Sequence, residues 1–204
     1  MQAQATDQPK LSDELEAFLT GERERTLGAL LELFGRRSFA IVFVVLMAVP
    51  ALPLPTGGAT HVFEIVVVLL ALQLIVGRDE IWLPERWRRL DLSGGRRERF
   101  VNALTRLIRR LERLSRRRLA FLFHGQASDV VFALLVIGMT VGAFVAPPFS
   151  GLDTLPALGV VVLALAVLLE DALIAAAALL VGAAGVTLEL VLGRAAIHYI
   201  WKLF

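Results

Sequence analysis

The chain has no cysteine, which excludes disulfides, thiolate metal sites and cysteine nucleophiles. Histidine is scarce as well: His61, His124 and His198 are the only imidazoles. No HExxH, GxSxG, P-loop or Rossmann signature occurs, and each of those patterns supplies a geometry that its chemistry requires. The residues therefore offer no catalytic, cofactor or metal site, and the chain is read as a non-enzyme. Aromatic residues are 8% of the chain and do not interleave with basic ones into a stacking platform, which removes nucleic acid as a partner. A cleavable secretory signal is not expected, because Met1 to Lys10 is polar and the first long apolar run begins only at Ser38.

Charge is missing from long stretches. None occurs from Ser38 to Phe63, Ile65 to Gly77, Val130 to Leu152, Thr154 to Leu169, or Ala172 to Leu188. With 57% hydrophobic residues and a mean hydropathy of +0.71, these runs do not alternate polar faces as the helices of a soluble protein would. They predict an all-α integral membrane protein.

The charge that is present is concentrated. The net value is +2 and the pI about 9.6, yet thirteen arginines lie between Arg86 and Arg118, against Asp91, Glu98 and Glu112 within that span. Beside membrane spans such a block serves topology or anionic lipid, since Arg-rich short loops stay in the cytoplasm. Its densest part is Arg106, Arg109, Arg110, Arg113, Arg116, Arg117 and Arg118. The expected location is the bacterial inner membrane, with several passes.

Along the chain, Ser12-Asp13-Glu14 reads as a helix start. Leu15, Phe18, Leu19, Leu27, Leu30, Leu31 and Phe34 then follow at helical spacing among Glu and Arg. This amphipathic helix either lies on lipid or docks on the protein. An apolar helix from Ser38 to Leu54 runs into Val49 to Gly58, whose three prolines and two glycines end it. A return helix covers Thr60 to Val76. Each arm is about 24 Å long at 1.5 Å per residue, short for a hydrocarbon core of about 30 Å, so the hairpin is either re-entrant or fully spanning. Trp82 and Trp87 mark a return to the interface. Arg97 to Phe123 is a second, more basic amphipathic helix.

Ser128-Asp129 is expected to cap a helix from Val130 to Ala146. A second Pro/Gly break, Pro147 to Pro156, follows, and then a return helix to Leu169. A shift of 93 residues superposes Phe39 on Phe132, Ala40 on Ala133, Pro55 on Pro148, Gly58 on Gly151 and Val67-Val68 on Val160-Val161. The shared Pro and Gly, and the common order of amphipathic helix, helix, break and helix, point to two related repeats. A segment as Arg-rich as the one between them does not cross lipid, so the simplest arrangement is parallel, with both hairpins opening to the cytoplasm. The expected organisation is a single membrane domain over 1–204. It comprises a first repeat over 11–84, the Arg-rich segment 85–127, the second hairpin 128–171, and a C-terminal transmembrane helix with its anchor over 172–204. Small residues in Ala172 to Gly193 and at Gly138 and Gly142 suit close helix packing, either in a homodimer or within one subunit.

An ionisable side chain inside an apolar run costs a few kcal/mol, and it survives best when paired or working. His61 and Glu64 are three residues apart just after the first break, hence on one helical face. They either relay a proton or bind a cation or hydroxyl, or form a structural pair; Glu64 has Arg78 or Arg194 as other partners. Asp153 and Thr154 superpose on Thr60 and His61, so the two broken turns can meet at one polar centre. Gln73, Thr140 and Thr187 read as inter-helix hydrogen bonds, Glu170-Asp171 as a helix cap, and Glu189 as a partner of Arg194.

Several segments together resemble a known family. They are Ala71-Leu72-Gln73-Leu74-Ile75-Val76-Gly77-Arg78 with Trp82-Leu83-Pro84, then Arg117-Arg118-Leu119, Pro147-Pro148 with Leu155-Pro156-Ala157, and Leu169-Glu170-Asp171-Ala172-Leu173. In that order, over roughly 11–193, they resemble the ExoD family of bacterial membrane proteins. The resemblance implies a link to exopolysaccharide synthesis or export and to alkaline tolerance, with the polysaccharide-synthesis machinery as a partner. Asp153 and Glu64 depart from the family pattern. Two readings follow: an ion- or proton-handling transporter built on the paired turns, or a non-transporting accessory that acts through its basic helices.

Overall fold

The computed structural model describes residues 13, 16–18, 26–52, 60–89, 102, 105–106, 109–110, 119–146 and 150–203, with side chains omitted at 87 and 193–203. Among them the chain is all-helical, with no strand. Seven α-helices are assigned: α1 Leu27–Phe34, α2 Arg37–Met47, α3 His61–Ile75, α4 Glu85–Arg88, α5 Gln126–Val145, α6 Thr154–Leu169 and α7 Ala172–Leu203. A 3-10 turn covers Ala120–Phe123. Two stretches are long and apolar enough to cross a membrane, Gln126–Val145 and Ala172–Leu192, each with mean hydropathy 2.1. The helices α2, α3 and α6 are apolar but shorter.

The chain divides into two compact units. One comprises the described residues of Met1–Phe34 and Trp82–Arg116. Here α1 packs on α4, with Gly28 so close to Arg88 that a Cβ would stand 3.1 Å from its carbonyl oxygen. Arg88 pairs with Glu32, and Arg109 with Glu16.

The other unit is the helical bundle of Gly35–Ile81 and Arg117–Phe204. The antiparallel pair α6 and α7 is its most extensive contact; α3 then packs on α5, and α2 on α6. The core is Phe39, Phe43, Met47, Val67, Val136 and Val160, all fully buried. Phe43 meets Phe132 with ring centroids 5.8 Å apart. Small residues bring α7 in: a Cβ on Gly159 would stand 2.7 Å from the Gly182 Cα, and one on Gly185 would stand 2.7 Å from the Pro156 nitrogen. Gly182 and Gly185 of α7 thus pack against α6 and α5 of the same chain.

The starts of α2 and α5 and the ends of α3 and α6 lie together at one end of this bundle. Arg36 joins Asp79 there and reaches Asp129 at 2.8 Å, while Arg37 reaches Glu170 at 3.2 Å. At the other end the start of α3 meets the end of α5, where the rings of His61 and Phe144 lie tilted with centroids 4.6 Å apart. The two hairpins therefore run the same way.

Both return helices close alike. Arg78 N–H donates to the Gln73 carbonyl and Gly77 N–H to the Leu74 carbonyl, with Gly77 at φ +83. Asp171 N–H donates to the Ala166 carbonyl and Glu170 N–H to the Val167 carbonyl, with Glu170 at φ +52. These are Schellman closures, which satisfy the last carbonyls of the helix. Glycine takes the left-handed position freely, whereas glutamate there is strained by about 1–2 kcal/mol.

Several expected boundaries move. The first arm, expected from Ser38 to Leu54, is α-helical only to Met47 and continues as turns to Leu52. Pro50 has no N–H and disfavours helix in the residue before it. Ser128-Asp129 does not cap α5, which starts at Gln126 after Gly125 at φ +102. The Ser128 hydroxyl donates instead to the Leu122 carbonyl, and Asp129 binds Arg36. The second amphipathic helix does not run through to Phe123, because Leu119 at φ +57 breaks it. Asp171 caps α7 by accepting from Leu173 N–H at 3.0 Å, while Glu170 forms an ion pair. The proline of α6, Pro156, sits in its first turn, where its missing N–H costs no helical bond.

Candidate functional site

The site lies at the end of the bundle where both hairpins turn. Helical spacing puts His61 and Glu64 on one face of the first turn of α3, and Nδ1 of His61 stands 2.7 Å from Oε2 of Glu64. Glu64 is only 1% exposed, and its Oε1 has no hydrogen-bond partner among the described residues. It faces a cavity of ≈ 210 Å³ between α3 and α5, whose walls include Ile65, Leu69, Thr140 and Val141. Ile65, Leu69 and Val141 are exposed, so the cavity opens on the apolar outer face of the bundle. Thr60 is buried beside this turn.

Asp153 precedes α6 and Thr154 begins it. The charge of Asp153 acts on both Glu64 and Glu189, so the structure brings His61, Glu64, Asp153 and Thr154 to one end. The Thr154 hydroxyl is buried and unpartnered. Of the turn residues, Gly151 adopts φ +69, which favours glycine. Pro55, Gly58 and Pro148 lie outside the described residues, as do Arg113, Arg116, Arg117 and Arg118. Arg106 and Arg110 are exposed, Arg106 donating to the Asn102 carbonyl at 3.3 Å; with Arg109 they belong to the other unit.

Two members were not read from the sequence. Glu189, expected to pair with Arg194, whose side chain lies outside the described residues, is 5% exposed, and among the described residues both its carboxylate oxygens lack a hydrogen-bond partner. Thr140, expected to bond between helices, is fully buried with an unpartnered hydroxyl. Thr187 is exposed on the surface of α7. A signal for Glu189 did exist: Ala178, Gly182, Gly185 and Glu189 recur at helical spacing, and a stripe of small residues marks the packed face.

Burying carboxylates without compensating donors costs several kcal/mol per charge. Among the described residues no arginine or lysine acts on Glu64 or Glu189. Arg36 and Arg37 stand at the opposite end, where hydrogen bonding to Asp79, with the charges of Asp79 and Asp129, holds the Arg36 guanidinium above its already high ordinary pKa. What this end can do is bind a small cationic species, a proton above all.

Residues 11–191 match the family described as "Exopolysaccharide synthesis, ExoD". The chain is similar to the uncharacterized protein slr1875 of Synechocystis sp., with 28% identity over 174 residues, covering 84% of this chain and 81% of the relative. No solved structure matches. A match spanning residues 11–191 places nearly the whole chain, turn-end site included, in the ExoD family of exopolysaccharide-synthesis proteins.

Proposed function

We propose that this chain is a multi-pass protein of the bacterial inner membrane that supports exopolysaccharide production by handling an ion at the turn-end site. The carrying observation is Glu64: a carboxylate at 1% exposure, one oxygen unpartnered, facing a cavity in an apolar bundle. Buried ionisable groups in such surroundings mark ion and proton pathways.

Membrane insertion through more than the two long helices is supported by the bundle's surface. Only 33% of Gln126–Val145 and 22% of Ala172–Leu192 is buried, whereas the core helix of a soluble protein would be mostly covered. Val62, Leu69, Val76, Leu134, Val145, Leu180 and Val191 are among the residues left facing out, an apolar surface that suits lipid and not water.

The bundle is built, on this reading, from two parallel repeats around a pseudo-two-fold axis. A residue that touches its own repeat counterpart must lie at such an axis. Arg36 and Asp129, both in the bundle, are 93 residues apart, the offset that superposes the two sequence halves. The pairing of α2 with α6 and of α3 with α5 is what a two-fold exchange of the hairpins requires. Gly77 and Glu170, also equivalent under that offset, close their helices in the same way.

The test is complementation of a deletion strain with wild type, Glu64→Gln and Asp153→Asn at matched membrane levels. Exopolysaccharide yield and growth at alkaline pH are the readouts. Rescue by wild type alone supports ion handling. Rescue by all three overturns it and favours an accessory that acts through the arginines between Arg106 and Arg118.

A further inference from the structure

The packed face of α7 ends at Glu189. Three residues before it, Val186 presses on Gly142 of α5: a Cβ there would stand 2.7 Å from Val186 Cγ2 and 3.7 Å from Glu189 Oε2. Four residues before it, Gly185 is seated on Leu155 and Pro156 at the start of α6. Because α6 and α7 are antiparallel, one further turn along α7 brings Glu189 level with Asp153. The carboxyl group therefore lies beside Gly142 of α5, on the face of α7 that packs against the start of α6, and is 5% exposed.

Each surrounding element can be checked for charge. On α3 stand His61 and Glu64, and before α6 stands Asp153. The turn-end halves of α5 and α2 carry no charged residue. Among the described side chains the charged groups around Glu189 are therefore acids, with His61, 30% exposed at its side chain, already bound to Glu64; Arg194 and His198, further along α7, have side chains outside the described residues. Both oxygens of Glu189, one of Glu64 and the hydroxyls of Thr140 and Thr154 lack a partner. Acceptors outnumber donors, and what is missing is hydrogen. Among the described residues no three His, Asp or Glu side chains are placed to share a metal ion.

We propose that Glu189 is the inner position of a proton-binding site, exchanging protons with Glu64 through Asp153, with His61 as the exposed port. The inference rests on the turn-end reading above and adds to it a residue and a ligand. A carboxyl group carrying a proton becomes a donor, so protons on Glu189 and Glu64 supply the hydrogens the site lacks. Each transfer moves one proton between carboxyl oxygens and leaves a carboxylate where it started.

The experiment is infrared spectroscopy of the purified full-length protein in lipid nanodiscs, titrated with pH in H2O and D2O. Wild type is expected to show two carboxyl C=O bands that shift on deuteration. Glu189→Gln loses one and Glu64→Gln the other, while Asp79→Asn loses neither. Asp153→Asn keeps both bands but slows their exchange into D2O. Should Glu189→Gln fail to fold, Asp153→Asn carries the test, and unchanged exchange in it overturns the relay. The proposal also falls if no band depends on Glu189, or if sodium added at constant pH removes the bands, which makes a metal cation the ligand. Bands present while Glu64→Gln still rescues exopolysaccharide yield leave the site standing and sink the functional reading. Absent bands with lost rescue do the reverse.

Discussion

Arg36 and Asp129 close an ion pair of 2.8 Å between residues that stand just before α2 and in the first turn of α5. Asp129 is 19% exposed at its side chain and Arg36 42%, and Arg36 also holds Asp79. The pair ties the two hairpins together at the end opposite Glu64 and Glu189.

Charge reversal tests that tie. Arg36→Asp leaves three acids facing one another and lowers membrane abundance; Asp129→Arg added to it restores part of the loss. Because the pair is partly exposed, its coupling energy in a double-mutant cycle is about 0.5–1 kcal/mol. Equal abundance of the reversed single and double variants argues against the tie.

The two Schellman closures respond oppositely to substitution. Gly77→Ala forces a side chain into φ +83 and against Gln126, whose Nε2 would stand 2.7 Å from the new Cβ; it destabilises by about 1 kcal/mol or more. Glu170→Gly relieves the strain at φ +52 but strips Arg37 of its carboxylate. In an Arg37→Gln, His124→Gln background, where neither facing cation is orphaned, Glu170→Gly raises the thermal unfolding midpoint in detergent. A fall there contradicts the strain argument.

Two alanine substitutions on α7 separate soft from hard packing. A Cβ on Gly182 meets the flexible end of Met139 at 2.5 Å, whereas one on Gly185 meets the Pro156 ring and backbone nitrogen at 2.6 and 2.7 Å. Gly185→Ala therefore costs about 1–3 kcal/mol, and Gly182→Ala less, since Met139 can turn aside. Thermal unfolding ranks them, and the reverse order refutes the packing described.

His61→Phe keeps an aromatic ring against Phe144, 4.6 Å away in the native protein, and deletes the bond to Glu64. Stability is expected to fall by about 1–3 kcal/mol, because Oε2 of buried Glu64 loses its partner, and exopolysaccharide yield in the complemented strain falls even at matched membrane levels. His61→Gln, which can still donate to the carboxylate, recovers part of that yield. Full yield from His61→Phe removes the imidazole from the site.

Much of this was legible in the sequence because it follows from local rules. Charge-free runs with no polar face dictate apolar helices. Prolines end them, which stops α2 even earlier than its composition suggested. A helix of 3.6 residues per turn puts His61 beside Glu64 whatever surrounds them.

What tertiary structure decided is the fate of polar groups whose partners are distant in sequence. Asp129 looked like the cap of α5 and is instead a counter-ion for Arg36. Glu170 looked like a cap and is a strained corner held by Arg37. Glu189 looked like the local partner of Arg194, whose side chain lies outside the described residues; the glycine face of α7 turns it toward Asp153, and among the described residues it has no donor. A sequence specifies spacing along one helix, so it specifies which residues share a face. Which face meets which neighbour depends on how closely the backbones approach, and here Gly142, Gly159, Gly182 and Gly185 set that approach through contacts between segments far apart in the chain.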